Sequence, residues 1–338
     1  MMRLFTLLLL FTVSAQEILA EQQTNTAKNH THFAVIGDMP YSDSEHAMLS
    51  APNGAIYVAL QAMDPPVLIH LGDFKKGSST CSDALFEERY LQISHLNPFK
   101  TVYTPGDNDW TDCDRLGMFP RFDELERLAF LRQLFFHNDE RQLTRDIPGL
   151  TRQQGFIENA MWKINNIHFA TLHIPGTNNG RKQIYRSDKD KALDEADFRD
   201  QSNQQWLQQL FDFAEDAQAI VIAFQADIYH TSMKKPACSA KNRTDCDGYK
   251  HIRDIIAEKA RTYTKPVLVI HGDTYAYCLQ QPYRNIPNLW RLNAAGDYNI
   301  IDANQITFNP LNTQEPFEVL GLIDQKKPPS ICNYHLLE

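Results

Sequence analysis

Six short apolar runs punctuate the chain: residues 32–38 (HFAVIGD), 66–73 (PVLIHLGD), 99–107 (FKTVYTPGD), 167–176 (IHFATLHIPG), 219–227 (AIVIAFQAD) and 266–273 (PVLVIHGD). Within each run the apolar residues are continuous rather than alternating, which predicts strands covered on both faces. Between them, residues 84–96, 123–136, 201–217 and 249–263 carry apolar side chains at three- and four-residue spacing, which predicts amphipathic helices. Strands alternating with helices predict an α/β fold with a mainly parallel sheet. No repeat or low-complexity linker interrupts the pattern.

The strand ends carry the chemistry. Four of the six runs finish in Gly-Asp, at Asp38, Asp73, Asp107 and Asp273, and a fifth finishes in Ala-Asp with Gln225 just before it. In an open α/β sheet the ligand site lies beyond the carboxyl ends of the strands. Glycine lets the backbone turn there, and the aspartate then presents two oxygens. One lone Gly-Asp is an ordinary turn or helix cap. Four on neighbouring strands would bring carboxylates together, and such like charges are tolerated when a cation or protons sit between them. The stretch VYTPGDNDWTDC (102–113) sharpens this, because Asp107, Asn108, Asp109 and Asp112 crowd into six residues where a strand ends.

Composition narrows the function classes. The 338 residues are 43% hydrophobic and 22% charged, with a net charge of −9. No basic stretch stands out, so a nucleic-acid polymer is not expected as a partner. The first 20 residues read as a signal peptide, with Arg3, an apolar run from Leu4 to Val13 and small residues giving cleavage after Ala15 or Ala20. That run is too short to span a bilayer, and no other approaches the length needed. Residues 21–31 read as a polar leader, 32–310 as the main domain and 311–338 as a tail pinned by Cys332. An exported protein, periplasmic or secreted, is expected. Its six cysteines contain no C-x-x-C pair and suggest disulfides. Fifteen pairings exist, and the preferred set is Cys81–Cys113, Cys238–Cys246 and Cys278–Cys332. Asn29 and Asn242 lie in N-x-[ST] sequons.

With these blocks in order, residues 32–280 resemble the calcineurin-like metallophosphoesterases, and exported bacterial members in particular. GDMPYS (37–42) falls where that family has D-x-H, GDFKKG (72–77) where it has G-D-x-x-D, and PGDNDW (105–110) where it has G-N-H-[DE] or G-N-D. FQAD (224–227) falls at a lone strand-end His and HGDTY (271–275) at G-H-x-H. The resemblance implies a four-layer α-β-β-α sandwich of the metallophosphatase type. It also implies a two-metal site at the strand ends and hydrolysis of small phosphomonoesters or diesters by metal-activated water. Asp38 would hold the first metal and Asp73 would bridge both. Asp107 or Asn108, Gln225 and Asp273 would complete the second position.

This chain departs from the family at every imidazole: Pro40, Asn108 or Asp109, Gln225, Asp273 and Tyr275 stand at its histidine positions. The oxygen donors that remain favour Mn²⁺ or Mg²⁺, with Ca²⁺ a further candidate and iron or zinc disfavoured. His271, two positions before Asp273 on the same strand face, is a candidate replacement ligand. His173 at another strand end, with Asn178 and Asn179 in its loop, and Asp109 are candidate catalytic groups. Lys75 is a candidate phosphate grip. Tyr41 and Trp110 are candidate pocket walls, and His230 reads as exposed. Loss of the imidazoles also supports a second expectation, a metallophosphoesterase fold that binds without cleaving or serves host interaction.

Overall fold

A computed structural model describes residues 30–137, 142–230 and 235–332. The expected signal peptide, its cleavage sites and the Asn29 sequon lie outside the described residues.

All six apolar runs form strands: β1 (Thr31–Ile36), β2 (Leu68–His70), β3 (Thr101–Tyr103), β6 (Ile167–Thr171), β7 (Ala219–Ala223) and β8 (Val267–His271). Six more strands join them: β4 (Thr151–Gln153), β5 (Phe156–Ile164), β9 (Cys278–Gln280), β10 (Leu289–Asn293), β11 (Asn304–Phe308) and β12 (Phe317–Gly321). They build two sheets, ordered β12-β11-β1-β2-β3 and β4-β5-β6-β7-β8-β10-β9. Strands β1, β2 and β3 run parallel, as do β6, β7, β8 and β10. The other pairings are antiparallel. The sheets are therefore mixed rather than mainly parallel. The expected strands supply most of the parallel centre, and the strands missed in the sequence are mostly the antiparallel margins. Those margins are short or half-polar: β4 has one exposed and two half-buried residues, and β11 and β12 alternate buried with partly exposed positions, so they lack a continuous apolar run.

The inner faces of the two sheets pack on each other. Phe33, Val35, Ile69 and Val102 of one meet Phe169, Val221, Leu268 and Ile270 of the other in a single buried cluster. Phe33 and Phe169 cross edge to face at 5.1 Å. Helices cover both outer faces. Helices α1 (Asp43–Leu49) and α2 (Ala55–Met63) lie on the smaller sheet, where Leu49, Ile56 and Leu60 join Ala34, Ile36 and Leu68. Helices α3 (Asp83–Leu96) and α4 (Glu124–Phe136) gather an aromatic core around Phe74 and Tyr103. Helices α5 (Lys189–Phe213) and α6 (Lys250–Tyr263) cover the larger sheet. This is the expected four-layer α-β-β-α sandwich. Helix α5 begins twelve residues earlier than the apolar spacing suggested, because Asp188 caps it through the amides of Asp190 and Lys191.

Three disulfides join Cys81–Cys113, Cys238–Cys246 and Cys278–Cys332, the preferred set. Within residues 311–332, β12 pairs with β11 throughout its length, and Phe317 and Val319 enter the core between the sheets. No helix among the described residues is long and apolar enough to cross a membrane.

Candidate metal centre

Parallel strands end on one side, so β1, β2 and β3 deliver Asp38, Asp73 and Asp107 to the same edge. The parallel strands of the facing sheet deliver Gln225, Asp273 and the 173–180 loop there. Hydrogen bonds stitch the two sets together. Gln225 Nε2 donates to Asp73 Oδ2 at 3.1 Å, Asp273 N to Asp38 Oδ1 at 3.0 Å, and Thr177 Oγ1 to Asp107 Oδ2 at 2.6 Å. Oxygens of Asp73, Asp107 and Asp273 all lie within 4.8 Å of one another, the first two residues buried and the third half-buried.

The preceding glycines are explained by this convergence. A Cβ on Gly106 would stand 2.0 Å from Asp73 Oδ1, and one on Gly272 would stand 1.8 Å from Asp38 Oδ2. Each carboxylate occupies the space where the next loop's side chain would begin. The aspartates are also conformationally unusual, because Asp38, Asp73 and Asp273 have φ of 51°, 53° and 69°. Left-handed backbone at a non-glycine residue costs roughly 1–2 kcal/mol and clusters at functional sites. Thr177, Asn178 and Asn179 repeat the feature in one left-handed turn with φ between 53° and 59°.

Burial raises the carboxyls of Asp38, Asp73, Asp107 and Asp273 above their ordinary range, and the neighbouring acids add to the effect in each case. Asp112 is pushed up to about 7 by burial and by Asp107, although Arg115 Nη1 bonds it at 2.5 Å. A divalent cation fits this arrangement. The three grouped carboxylates are hard oxygen donors, held by loop-to-loop hydrogen bonds, and none of them forms an ion pair among the described residues.

Other expected site residues are turned to different work. Asp107, not Asn108, supplies the third carboxylate, while Asn108 Nδ2 donates to Tyr41 Oη at 3.2 Å. Gln225 does not present its oxygen as a ligand. Its Oε1 accepts the Gly176 amide at 2.7 Å, so its NH₂ faces the acids. Asp38 adjoins the group, engaged by the Asp273 amide. Asp109 is not at the open side. It is fully buried and accepts from Asp73 N, Phe74 N, Gly106 N and Tyr103 Oη at 2.8–3.0 Å, clamping two strand-end loops together.

Lys75 is 1% exposed and donates to Ser79 O at 3.3 Å. Burial lowers it to about 8, against the pull of Asp109, Asp112 and Asp73. His271 points to Asp227, with Nε2 at 3.7 Å from Oδ1, because both sit in a pocket shared with Arg291. His173 pairs through Nδ1 with Glu158 at 2.8 Å and lies edge-on to Trp110 at 5.4 Å. Burial lowers its pKa to about 4, against the pull of Glu158. Trp110 is a core residue, 1% exposed.

Two contributors escaped the sequence reading. Gly296-Asp297 after β10 is a fifth Gly-Asp. Its amide donates to Asp38 O at 3.0 Å, and its charge is felt by Asp38. The dipeptide itself was the signal, hidden because Arg291 breaks the apolar run of β10. His230 is exposed as read, yet it lines a 280 Å³ cavity with Asp273, Thr177 and Tyr249.

No protein-family model matches the chain, and no curated protein matches it in sequence. Among solved structures, NAD nucleotidase (NadN) of Haemophilus influenzae is similar, with a TM-score of 0.40 and 12% identity over 90% of this chain. The match takes in 50% of that protein, so this chain spans about half its length. A likeness of that size supports neither ancestry nor activity, and the fold stands on its own strand order.

Proposed function

We propose that this protein is an exported metal-dependent phosphoesterase acting on small phosphoesters. The observation that carries the reading is the trio of convergent carboxylates, Asp73, Asp107 and Asp273, with oxygens inside 4.8 Å. These three would hold one divalent cation, Mn²⁺ or Mg²⁺ by donor chemistry. When bound, the cation would supply Lewis acidity to a phosphoryl oxygen and offset the charge of the acids.

The chain's own groups do the rest. Thr177 orients Asp107, and Asp38 holds the Asp273 loop by accepting its amide. Tyr41 Oη donates to Asp73 and accepts from Asn108 Nδ2, which leaves the second hydrogen of the Asn108 amide suited to a phosphate oxygen. His230 opens onto the cavity that Asp273 lines, where a leaving-group oxygen would take its proton. Three disulfides support export.

Gln225 supports a second reading, binding without turnover, because its amide protons already occupy one face of Asp73. Chelation should abolish phenyl phosphate hydrolysis and Mn²⁺ or Mg²⁺ should restore it. Asp73→Asn should lower kcat/KM by at least about a hundredfold. Cation binding by calorimetry with no turnover in any metal would leave the second reading.

A further inference from the structure

Three tyrosines leave the metal centre in a row. Tyr41 is buried and its hydroxyl donates to Asp73 Oδ2 at 3.2 Å. Tyr298 packs against it with ring centroids 4.7 Å apart and planes tilted by 47°, and Tyr275 follows at 6.5 Å with a tilt of 42°. The outer two are 56% and 65% exposed, though tyrosine rings bury well where a fold uses them for packing. Both sit next to the acids: Tyr275 is two residues past Asp273, and Tyr298 follows Asp297.

The backbone is strained to present them. Asp297 and Tyr298 are consecutive left-handed residues, with φ of 46° and 65°. For a bulky residue that conformation is an outlier, costing of order 1–3 kcal/mol. It is held by Asp297 N donating to Asp38 O at 3.0 Å, and by Asn299 Nδ2 donating to Tyr275 O at 2.6 Å. The second bond ties the two tyrosine loops together. A Cβ on Gly296 would meet Gly37 O at 2.5 Å, so this loop is seated against the first strand-end loop. The fold thus holds a strained turn that keeps an aromatic face in water, continuous with the carboxylate site. Arg115 is the nearby cation, its charge felt by Tyr298 and by Asp107.

We infer that Tyr298 and Tyr275 form a stacking wall for a planar aromatic ring carried by the phosphoester whose phosphate sits at the acids. This rests on the phosphoesterase reading for the phosphate and adds the chemistry of the leaving group. A flat ring offers π-faces to the tyrosines, whereas a flexible polyol offers nothing to stack. The shared chemistry is the ring, whether a nucleobase or a simple aryl group.

The test measures equilibrium binding of phenyl phosphate, adenosine 5′-monophosphate and glycerol 3-phosphate to the Mn²⁺-loaded full chain, with turnover recorded in parallel. Phenyl phosphate or the nucleotide should bind at least about tenfold tighter than glycerol 3-phosphate, the scale of one ring stacked on one aromatic side chain. Tyr298→Ala should reduce that ratio about tenfold, and Tyr298→Phe should keep it because the ring remains. Preference for the nucleotide over phenyl phosphate assigns the wall to a nucleobase, and the reverse assigns it to a simple aryl group. Equal binding of all three ligands, or a ratio unmoved by Tyr298→Ala, overturns the wall even if all three are hydrolysed. Selective binding with no hydrolysis keeps the wall and removes the hydrolase reading.

Discussion

Asp227 and Asp273 follow neighbouring strands, β7 and β8, and Thr274, beside Asp273, donates to Asp227 at 2.9 Å. Yet the two acids belong to opposite worlds. Burial works against ionised Asp227, but His271, Arg291 at 3.3 Å and two backbone amides hold its carboxyl below the ordinary range. Glu158 is alike: burial opposes its charge, and His173 and Arg132 pull it well down. Asp73 and Asp273 are held up instead by burial and by Asp107 and Asp38, and Asp107 by burial and by Asp109. Buried acid alone therefore identifies nothing. What distinguishes the two regions is whether the chain supplies its own cation. Arginine completes the first, whereas the acids of the second form no ion pair among the described residues and could hold a cation.

That contrast can be broken experimentally. The largest effect should come from the self-paired side. Arg291→Met leaves Asp227 without its guanidinium and should cost about 3–5 kcal/mol by denaturant unfolding. In cation-free protein Asp73→Asn should change stability by about 1 kcal/mol or less, since relief of repulsion offsets a lost acceptor. Equal losses in the two variants would erase the distinction. Next, Mn²⁺ at a hundred times its Kd should stabilise the wild type by about 2.7 kcal/mol in thermal unfolding and leave Asp73→Asn nearly unmoved.

The smallest and most diagnostic effect is the pH dependence. The strand-end carboxyls are raised, so their contribution is fully present below their unfolded pKa, near 3.9, and is lost as pH rises through the folded values. Glu158 is lowered, so its contribution is present above its unfolded pKa, near 4.3, and is lost as the solution is acidified. Cation-free protein should thus weaken from pH 4 toward neutrality more than the Asp73→Asn variant does. Saturating Mn²⁺ should remove that weakening. A loss on alkalinisation that Mn²⁺ leaves in place would place its origin elsewhere, for example at Glu124, which burial raises to about 8.

Much of the site was legible from residue type and position. Continuous apolar runs ending in Gly-Asp announced the strand-end acids, and Asp73, Asp107 and Asp273 do converge. Where the structure differs from the expectation, it differs in direction rather than place. Asp109 lies one residue beyond Asn108, but four donors capture its carboxylate in the interior. Gln225 arrives at the acids with its amide the other way round, because the Gly176 N–H needs an acceptor. His271 does not share the work of Asp273, because its ring meets Asp227 instead. No spacing rule reveals where a buried side chain finds its partner, since that partner lies across a sheet.

By itself the sequence determined the central strands, four of the helices and the export-type cysteine pattern. It also determined that acid gathers where strands end. These follow from local rules: apolar continuity, helical spacing and the need for glycine at a tight turn. Only the tertiary structure decided which acids face one another, which ones arginine neutralises, and that a fifth Gly-Asp loop carries Tyr298 to the rim. Those outcomes depend on the two sheets stacking face to face. That stacking brings residues more than a hundred positions apart within hydrogen-bonding distance, as with Gln225 and Asp73 at 3.1 Å. At such range, burial and Coulomb interaction set a side chain's role more strongly than its neighbours in the chain do.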